Sequence, residues 1–393
     1  MTTYDCIVVG GGPVGGYVAQ KIAEKKYSVG LIEEHRDIGL PVNCAGLVTS
    51  RVLNFAQEFQ EKFTLLPIKG AHIHSPINQI YTIGGNKVHA YVINREIFDK
   101  VIVEKASETG VELLLGSHVV SIRKDADIVC TYHVNKQKSM VRGKLLIGAD
   151  GPNSIVRRSF DFPSPIEYIR CIGAEVSNIS INPEYVEIFF DTRIAPGFFA
   201  WIIPINAEGT RARMGLGVVQ KFSDQLKKCF ENLISRARFD NATIESISGG
   251  SIPLGGLNKT TQEGVMLVGD AAAQVKPTSG GGLFPGLACA QICADIGLKA
   301  LNANRVDDKF LSTYHSLWTK TIGKELTKGM FYRRIFFRFS NREFEKALKF
   351  LDNTTILNCV NSYGDIDYPS RLVVPVVKSM PMLLKSIPGL FIK

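Results

Sequence analysis

The chain has 393 residues, too many for one simple core, and two or three structural units are expected. Hydrophobic residues make up 45% and charged residues 21%, a globular balance that excludes a disordered chain, and no uninterrupted apolar run of about 18 residues predicts a transmembrane helix. The formal net charge of +9 suits nucleic acid, anionic lipid or an acidic protein, and with no nucleic-acid motif in the chain the last two are favoured.

The opening Met1-Thr2-Thr3-Tyr4-Asp5 lacks the basic region of a signal peptide. Eight cysteines, at 6, 44, 130, 171, 229, 289, 293 and 359, therefore read as reduced thiols, and a cytoplasmic location is expected. Cys289 and Cys293 share one helix face; they read as core packing rather than a metal pair, since no second ligand pair accompanies them, and no metal is expected.

In chain order, the first predicted unit spans 5–33: an apolar strand, the turn Gly10-Gly11-Gly12-Pro13-Val14-Gly15, a helix, a second strand and then Glu33. Gly10 allows the tight turn, Gly12 lets backbone approach a pyrophosphate, and Gly15 lets the helix pack on the sheet. The helix N-terminus presents N–H groups to phosphates, and Glu33 stands where an acid accepts hydrogen bonds from a ribose. Its charge argues against a 2′-phosphate. This pattern predicts a dinucleotide site.

A second apolar strand, 144–149, runs into Asp150-Gly151, suited to a tight turn, with Ser154 able to cap a short helix carrying Arg157 and Arg158. Segments 184–190, 199–203 and 213–219 read as strands of an antiparallel sheet with one face on a pocket. Segment 223–237 reads as an amphipathic helix with Ser223 as N-cap. A third apolar strand, 264–269, ends in Asp270, at the strand end where α/β sheets bind ligands. The glycines 280–282 let bare backbone lie against a flat ligand, and the helix predicted over 287–301 points its N-terminus there.

The remainder, 301–393, reads as mainly helical, with candidates at 310–330 and 342–351. Segment 331–339 is aromatic and basic. It is either a membrane-surface contact or a helix packing its aromatics on the core with its arginines outside. The tail 373–393 reads as a second lipid contact or a lid.

The three glycine turns resemble the three FAD fingerprints of the p-hydroxybenzoate hydroxylase-like flavoproteins, in the same order across residues 5–286. The resemblance implies an α/β fold: a Rossmann-type FAD-binding domain over 1–66, 91–160 and 262–300, an antiparallel β-sheet substrate domain over 67–90 and 161–261, and a helical region over 301–393. It implies that FAD is held by Gly10, Gly12, Val14, Gly15, Glu33, Asp150, Asp270, Gly281, Gly282 and Leu283. Arg95 looks like the family arginine that opens a helix and helps hold the flavin; a surface salt bridge is its plainer reading. Val119 looks like the strand position whose backbone meets adenine, and ordinary strand packing accounts for it equally well.

Segment 39–47 is similar to the Pro-x-x-Cys-x-Gly segment of the geranylgeranyl reductases. By that likeness Cys44, Ala45 and Leu47 lie against the flavin, and Cys44 is the residue nearest the chemistry, positioning an alkene or relaying a proton. A buried structural cysteine is the plainer alternative. Segment 195–204 resembles the Tyr-x-Trp-x-Phe-Pro signature of the same family and nominates Phe199, Trp201 and Pro204 for the substrate pocket. Phe199 stands for the tyrosine, Ile203 for the phenylalanine, and Ile205 where lysine is common. The family implies reduction of isoprenoid double bonds in archaeal membrane-lipid precursors by hydride from reduced flavin. NAD(P)H or reduced ferredoxin would be the donor, with peripheral membrane contact as an option. The competing readings are an aromatic-ring monooxygenase of the same fold and a flavin-stabilised protein without chemistry.

Overall fold

The computed structural model describes residues 1–237, 239 and 242–379. Strand β1 (Thr2–Val9) is followed by helix α1 (Pro13–Ala23) and strand β2 (Val29–Ile32). Cys6, Ile7 and Val8 are fully buried, as expected for a parallel strand covered on both faces. Helix α2 (Arg95–Glu108) packs on α1, where a Cβ on Gly16 would stand 2.8 Å from Val103. Strand β3 (Gln137–Gly148) then pairs with β1 in parallel, opposite β2. Among the described residues the first sheet has eight strands, flanked outward by Val265–Leu267 beside β3 and Glu112–Leu114 beside β2.

Among the described residues a second sheet of seven strands contains β4 (Glu167–Ser177), β5 (Ala200–Pro204) and β6 (Arg211–Val219). Helix α3 (Leu226–Ala237) covers one face, burying Cys229, Phe230 and Leu233 against Ala200, Ile202 and Met214. Regular helix starts at Leu226, because a 3-10 turn with a non-helical Phe222 occupies Gln220–Gln225; Ser223 therefore lies inside that turn and is not an N-cap. Strand β7 (Thr243–Leu254) forms the edge beside β4. The sheet is antiparallel except for one parallel pair, Tyr185–Phe189 with Gly70–His74. A three-stranded sheet of Leu47–Val48, Ala90–Ile93 and Thr64–Ile68 joins the two units.

Helix α4 (Leu283–Asn302) is long and apolar enough by length and composition to cross a membrane, although Gln291, Asp295 and Lys299 interrupt its apolar run. Leu287, Cys289, Ala290, Cys293 and Ala294 are nevertheless fully buried in the core beside β1 and β3, as in the core helix of a globular domain. Asp308–Trp318 joins that same core through Leu311, Tyr314 and Trp318. A π turn at Thr319–Gly323 leads into α5 (Lys324–Phe336), which packs toward the second sheet. The helix expected over 342–351 spans Asn341–Leu348 and begins with a capping box between Ser340 and Glu343. Of the tail read as lid or lipid contact, Val373–Ser379 is helical and residues 380–393 lie outside the described residues.

Candidate active site

The turn after β1 is built by contact between the fingerprints. Gly10 has a φ of 107°, donates its N–H to Ile32 O at 2.9 Å, and leaves no space for a Cβ beside Ala149 O. Gly15 is equally constrained, since a side chain would run into Gly10 O. Gly12 differs: nothing lies within 4 Å of where its Cβ would stand, and no described side chain caps α1 there. That opening before a helix N-terminus is what a phosphate needs.

Glu33, at the end of β2, accepts the Gly11 N–H on Oε2 at 2.6 Å and the His35 N–H on Oε1 at 2.9 Å. Its carbonyl accepts the Ser117 N–H at 2.8 Å, which brings the strand bearing buried Val119 alongside. Val14 packs 3.2 Å from the Cβ position of Gly269 and 3.0 Å from that of Gly286, joining the first turn to the third.

Asp150 is turned inward. Its two oxygens accept Ser154 Oγ at 2.6 Å and the Val156 N–H at 3.1 Å, and burial pushes its pKa up. It braces the second turn instead of offering a free carboxylate. Ser154 in turn accepts the Arg157 N–H at 2.9 Å, as a cap should. Arg157 reaches Ala271 O at 3.5 Å and so links the second turn to the third.

The Asp270 backbone carbonyl accepts the Ala273 N–H at 2.9 Å, while its carboxylate has no hydrogen-bond partner among the described residues. Burial raises its pKa to about 6, with the charge of Arg95 pulling in the opposite direction. A Cβ on Gly282 would stand 2.8 Å from Asp270 Oδ1, and Gly282 opens α4 with Leu283 as the first helical residue. Gly281 lies against Lys276, where a Cβ would meet Cε at 2.8 Å.

Arg95 makes a two-pronged ion pair with Asp99, at 3.0 and 2.9 Å, and also contacts the Cys44 sulfur. Burial works against its charge, but the Asp99 carboxylate and Cys44 more than offset it and hold the guanidinium ionised. Arg95 therefore brings Cys44 and Asp270 within range of one half-buried cation. Cys44 Sγ accepts the Gly46 N–H at 3.4 Å.

Ala45, Leu47, Trp201 and Ile188 each pack against one core cluster that includes Leu66, Val92 and Ile203. Trp201 stands edge-on to Phe199 at 5.8 Å, and Phe199 stacks on Phe198 at 4.5 Å. Phe198 lies 3.2 Å from the Cβ position of Gly280. Pro204 does not join this wall: strand alternation places it with Ala200 and Ile202, on the face covered by α3.

Four elements of the site escaped the sequence reading. Phe337 stacks at 5.4 Å on Phe198. Arg333 is 3% exposed, pairs with Glu167 at 2.8 Å and faces the rings of both Phe198 and Phe337. Of the reading that segment 331–339 packs its aromatics on the core with its arginines outside, Arg334 and Arg338 follow the pattern and Arg333 does not. Lys276 pairs with Asp367 at 2.7 Å. Arg213, discussed below, grips the backbone around Cys44; its one sequence signal is a charge within an apolar strand.

The comparisons agree with this geometry. A family model described as FAD binding domain matches residues 3–317. Digeranylgeranylglycerophospholipid reductase 2 of Methanopyrus kandleri is 31% identical over 396 residues, covering 97% of this chain and 98% of the relative. An uncharacterized protein of Methanocaldococcus jannaschii is 32% identical over 96% of this chain and 95% of its own. The chain belongs to the digeranylgeranylglycerophospholipid reductase family of FAD-binding proteins.

Among solved structures, a geranylgeranyl bacteriochlorophyll reductase-like protein from Thermoplasma acidophilum shares the fold of this family member with a TM-score of 0.87, at 23% identity and 98% coverage of both chains. p-Nitrophenol 4-monooxygenase of Pseudomonas putida shares it at 0.72, with 17% identity and full coverage of both. The chain is an FAD-dependent oxidoreductase. Its residues fit the cofactor: the opening at Gly12 would admit a pyrophosphate, Glu33 would stand by a ribose, and the unpartnered Asp270 carboxylate could accept a hydroxyl.

Proposed function

We propose that this reductase-family chain saturates the carbon–carbon double bonds of geranylgeranyl chains in membrane-lipid precursors. One observation carries the reading: the Phe198, Phe199 and Trp201 wall meets the Gly280 turn, and Trp201 packs on the same core cluster, around Val92 and Ile203, as Ala45 and Leu47. An apolar chain lying on that wall is brought to the junction of the two cofactor-facing segments. Each buried methylene contributes about 0.8 kcal/mol, so an isoprenoid chain needs no polar anchor there, in keeping with Phe199 where relatives carry tyrosine.

Bound FAD, when reduced, supplies the hydride that one alkene carbon accepts. The protein supplies the dry wall and the proton. We assign proton delivery to the other carbon to Cys44 Sγ, which leaves a thiolate beside the Arg95 guanidinium until solvent restores the proton. Asp99 keeps Arg95 in place through its paired hydrogen bonds.

The donor is a nicotinamide nucleotide or an acidic ferredoxin-like protein drawn to the basic surface. Rates that fall with added salt identify the protein donor, and salt-independent rates the nucleotide. The enzyme works in the cytoplasm at the membrane surface, with exposed Phe331 and Arg334 of α5 toward lipid. The test of function is to supply the reduced protein with a digeranylgeranyl lipid under argon and weigh the product. A gain of two hydrogens per event supports the reading; an unchanged lipid mass refutes it.

A further inference from the structure

Arg213 lies on β6, directly across from Glu175 on β4, and its Nε donates to Glu175 Oε1 at 2.9 Å. From that anchor the guanidinium leaves its own sheet. Nη1 donates to Ile93 O at 2.9 Å and lies 3.5 Å from Ala45 O. These two carbonyls belong to segments already tied together, since the Ile93 N–H donates to Gly46 O at 2.8 Å. Ala45 follows Cys44 directly, and Ile93 precedes Arg95 by two residues.

Gly46 records how close the grip is. Its φ is 75°, and any Cβ there would collide with Arg213 Nη1. Arg213 is 9% exposed. A cation buried in a mostly apolar strand is costly unless its donors are used, and here both edges are occupied, one by a carboxylate and one by the backbone flanking the Cys44–Arg95 contact.

The geometry points to Arg213 as a positioning residue for the reaction: braced by Glu175, it holds the Ala45 and Ile93 carbonyls and thereby sets Cys44 against Arg95. This rests on the reading that Cys44 serves the reaction. Among the described residues no hydrogen bond joins Arg213 to Gly280–Gly282 or to the aromatic wall, so its loss is read in turnover rather than in binding.

The test compares Arg213→Gln, Arg213→Lys and native protein, each loaded with FAD. For Arg213→Gln, kcat for lipid reduction falls by about tenfold or more, while KM and FAD content stay within about twofold; Arg213→Lys, which keeps one of the carbonyl bonds, recovers much of the loss. Amide exchange over residues 42–48 quickens by about tenfold in Arg213→Gln, with α1 unchanged. Native kcat, a KM rise at constant kcat, or unchanged exchange over 42–48 overturns the assignment. If Arg213→Gln does not fold, Glu175→Gln decides, because it removes the brace and leaves the guanidinium: a smaller kcat loss with faster exchange supports the assignment, and native values of both overturn it. Native protein that reduces no prenyl lipid sinks the functional reading alone, and the exchange measurement still judges Arg213.

Discussion

Lys276 and Asp367 form a buried ion pair at 2.7 Å that ties the glycine loop before α4 to the chain that follows Thr354–Tyr363. Asp367 is shared: Arg51 reaches its second oxygen at 3.1 Å, and Thr49 bonds to the same oxygen. Arg51 also forks onto Asp365 at 2.9 and 2.8 Å. The C-terminal segment is thus pinned at once to the Gly280–Gly282 loop and to the stretch just after the Cys44 segment.

Removing one partner leaves the other charged and buried. Asp367→Ala should therefore destabilise the protein by about 3–5 kcal/mol, and the loosened glycine loop should bind FAD more weakly. Lys276→Met with Asp367→Leu, which removes both charges, should cost far less than the single change. Denaturant unfolding of the single and double variants checks this; equal and additive losses would contradict it.

Cys44→Ala should load FAD normally yet reduce lipid at least about a hundredfold more slowly, the usual worth of a positioned proton donor. The Gly12 opening and Asp270 are untouched by the change. Flavin content from the absorbance of the purified variant, set beside turnover, separates the two roles. Lost FAD would make Cys44 a structural part of the cofactor site.

Asp270 gives a pH dependence of definite sign. Its folded pKa of about 6 lies above the ordinary carboxyl value, so the folded apoprotein binds this proton more tightly than the unfolded chain. Its contribution is fully present below about pH 4, falls as the pH rises toward 6, and then levels off. Asp270→Asn should stabilise the apoprotein at pH 8, by at most about 3 kcal/mol, and leave it unchanged at pH 4. The same variant should bind FAD roughly tenfold more weakly, the worth of one charge-assisted hydrogen bond. Melting curves at the two pH values and an FAD titration read both effects.

Arg333 lies beside the stacked rings of Phe198 and Phe337, with their centroids 5.3 and 4.8 Å away, and donates to Gly197 O at 3.1 Å. Arg333→Met keeps the volume but drops the bonds that fix the turn carrying Phe198 and Phe199. KM for the lipid should rise several-fold with FAD affinity unchanged; an unaltered KM would show that the wall holds itself in place. Partly exposed Glu167, left without its partner, can hydrate, so stability should change little.

The parts of the site visible in the sequence are those where backbone geometry dictates residue type. Gly10, Gly15 and Gly282 are legible because close approach of backbone or a carboxylate leaves no space for a side chain. Strand alternation located β5 and β6 to within two residues, yet it also assigns Pro204 to the α3 face, which a motif read as a continuous string conceals. Arg213, Lys276 and Arg333 were invisible for a different reason. Their partners Ile93, Asp367 and Glu167 lie 120, 91 and 166 residues away, and only the folded sheet brings them together. The Ser223 cap failed because Phe222 breaks the helix before it starts.

The most direct test of the central claim is anaerobic. The flavin-loaded protein is reduced with dithionite, a geranylgeranyl lipid is added, and the flavin absorbance is followed. The account expects the oxidised spectrum to return with the lipid, slowly or not at all in Cys44→Ala. A flavin that stays reduced until oxygen is admitted would contradict it and turn attention to the monooxygenase chemistry of the wider fold.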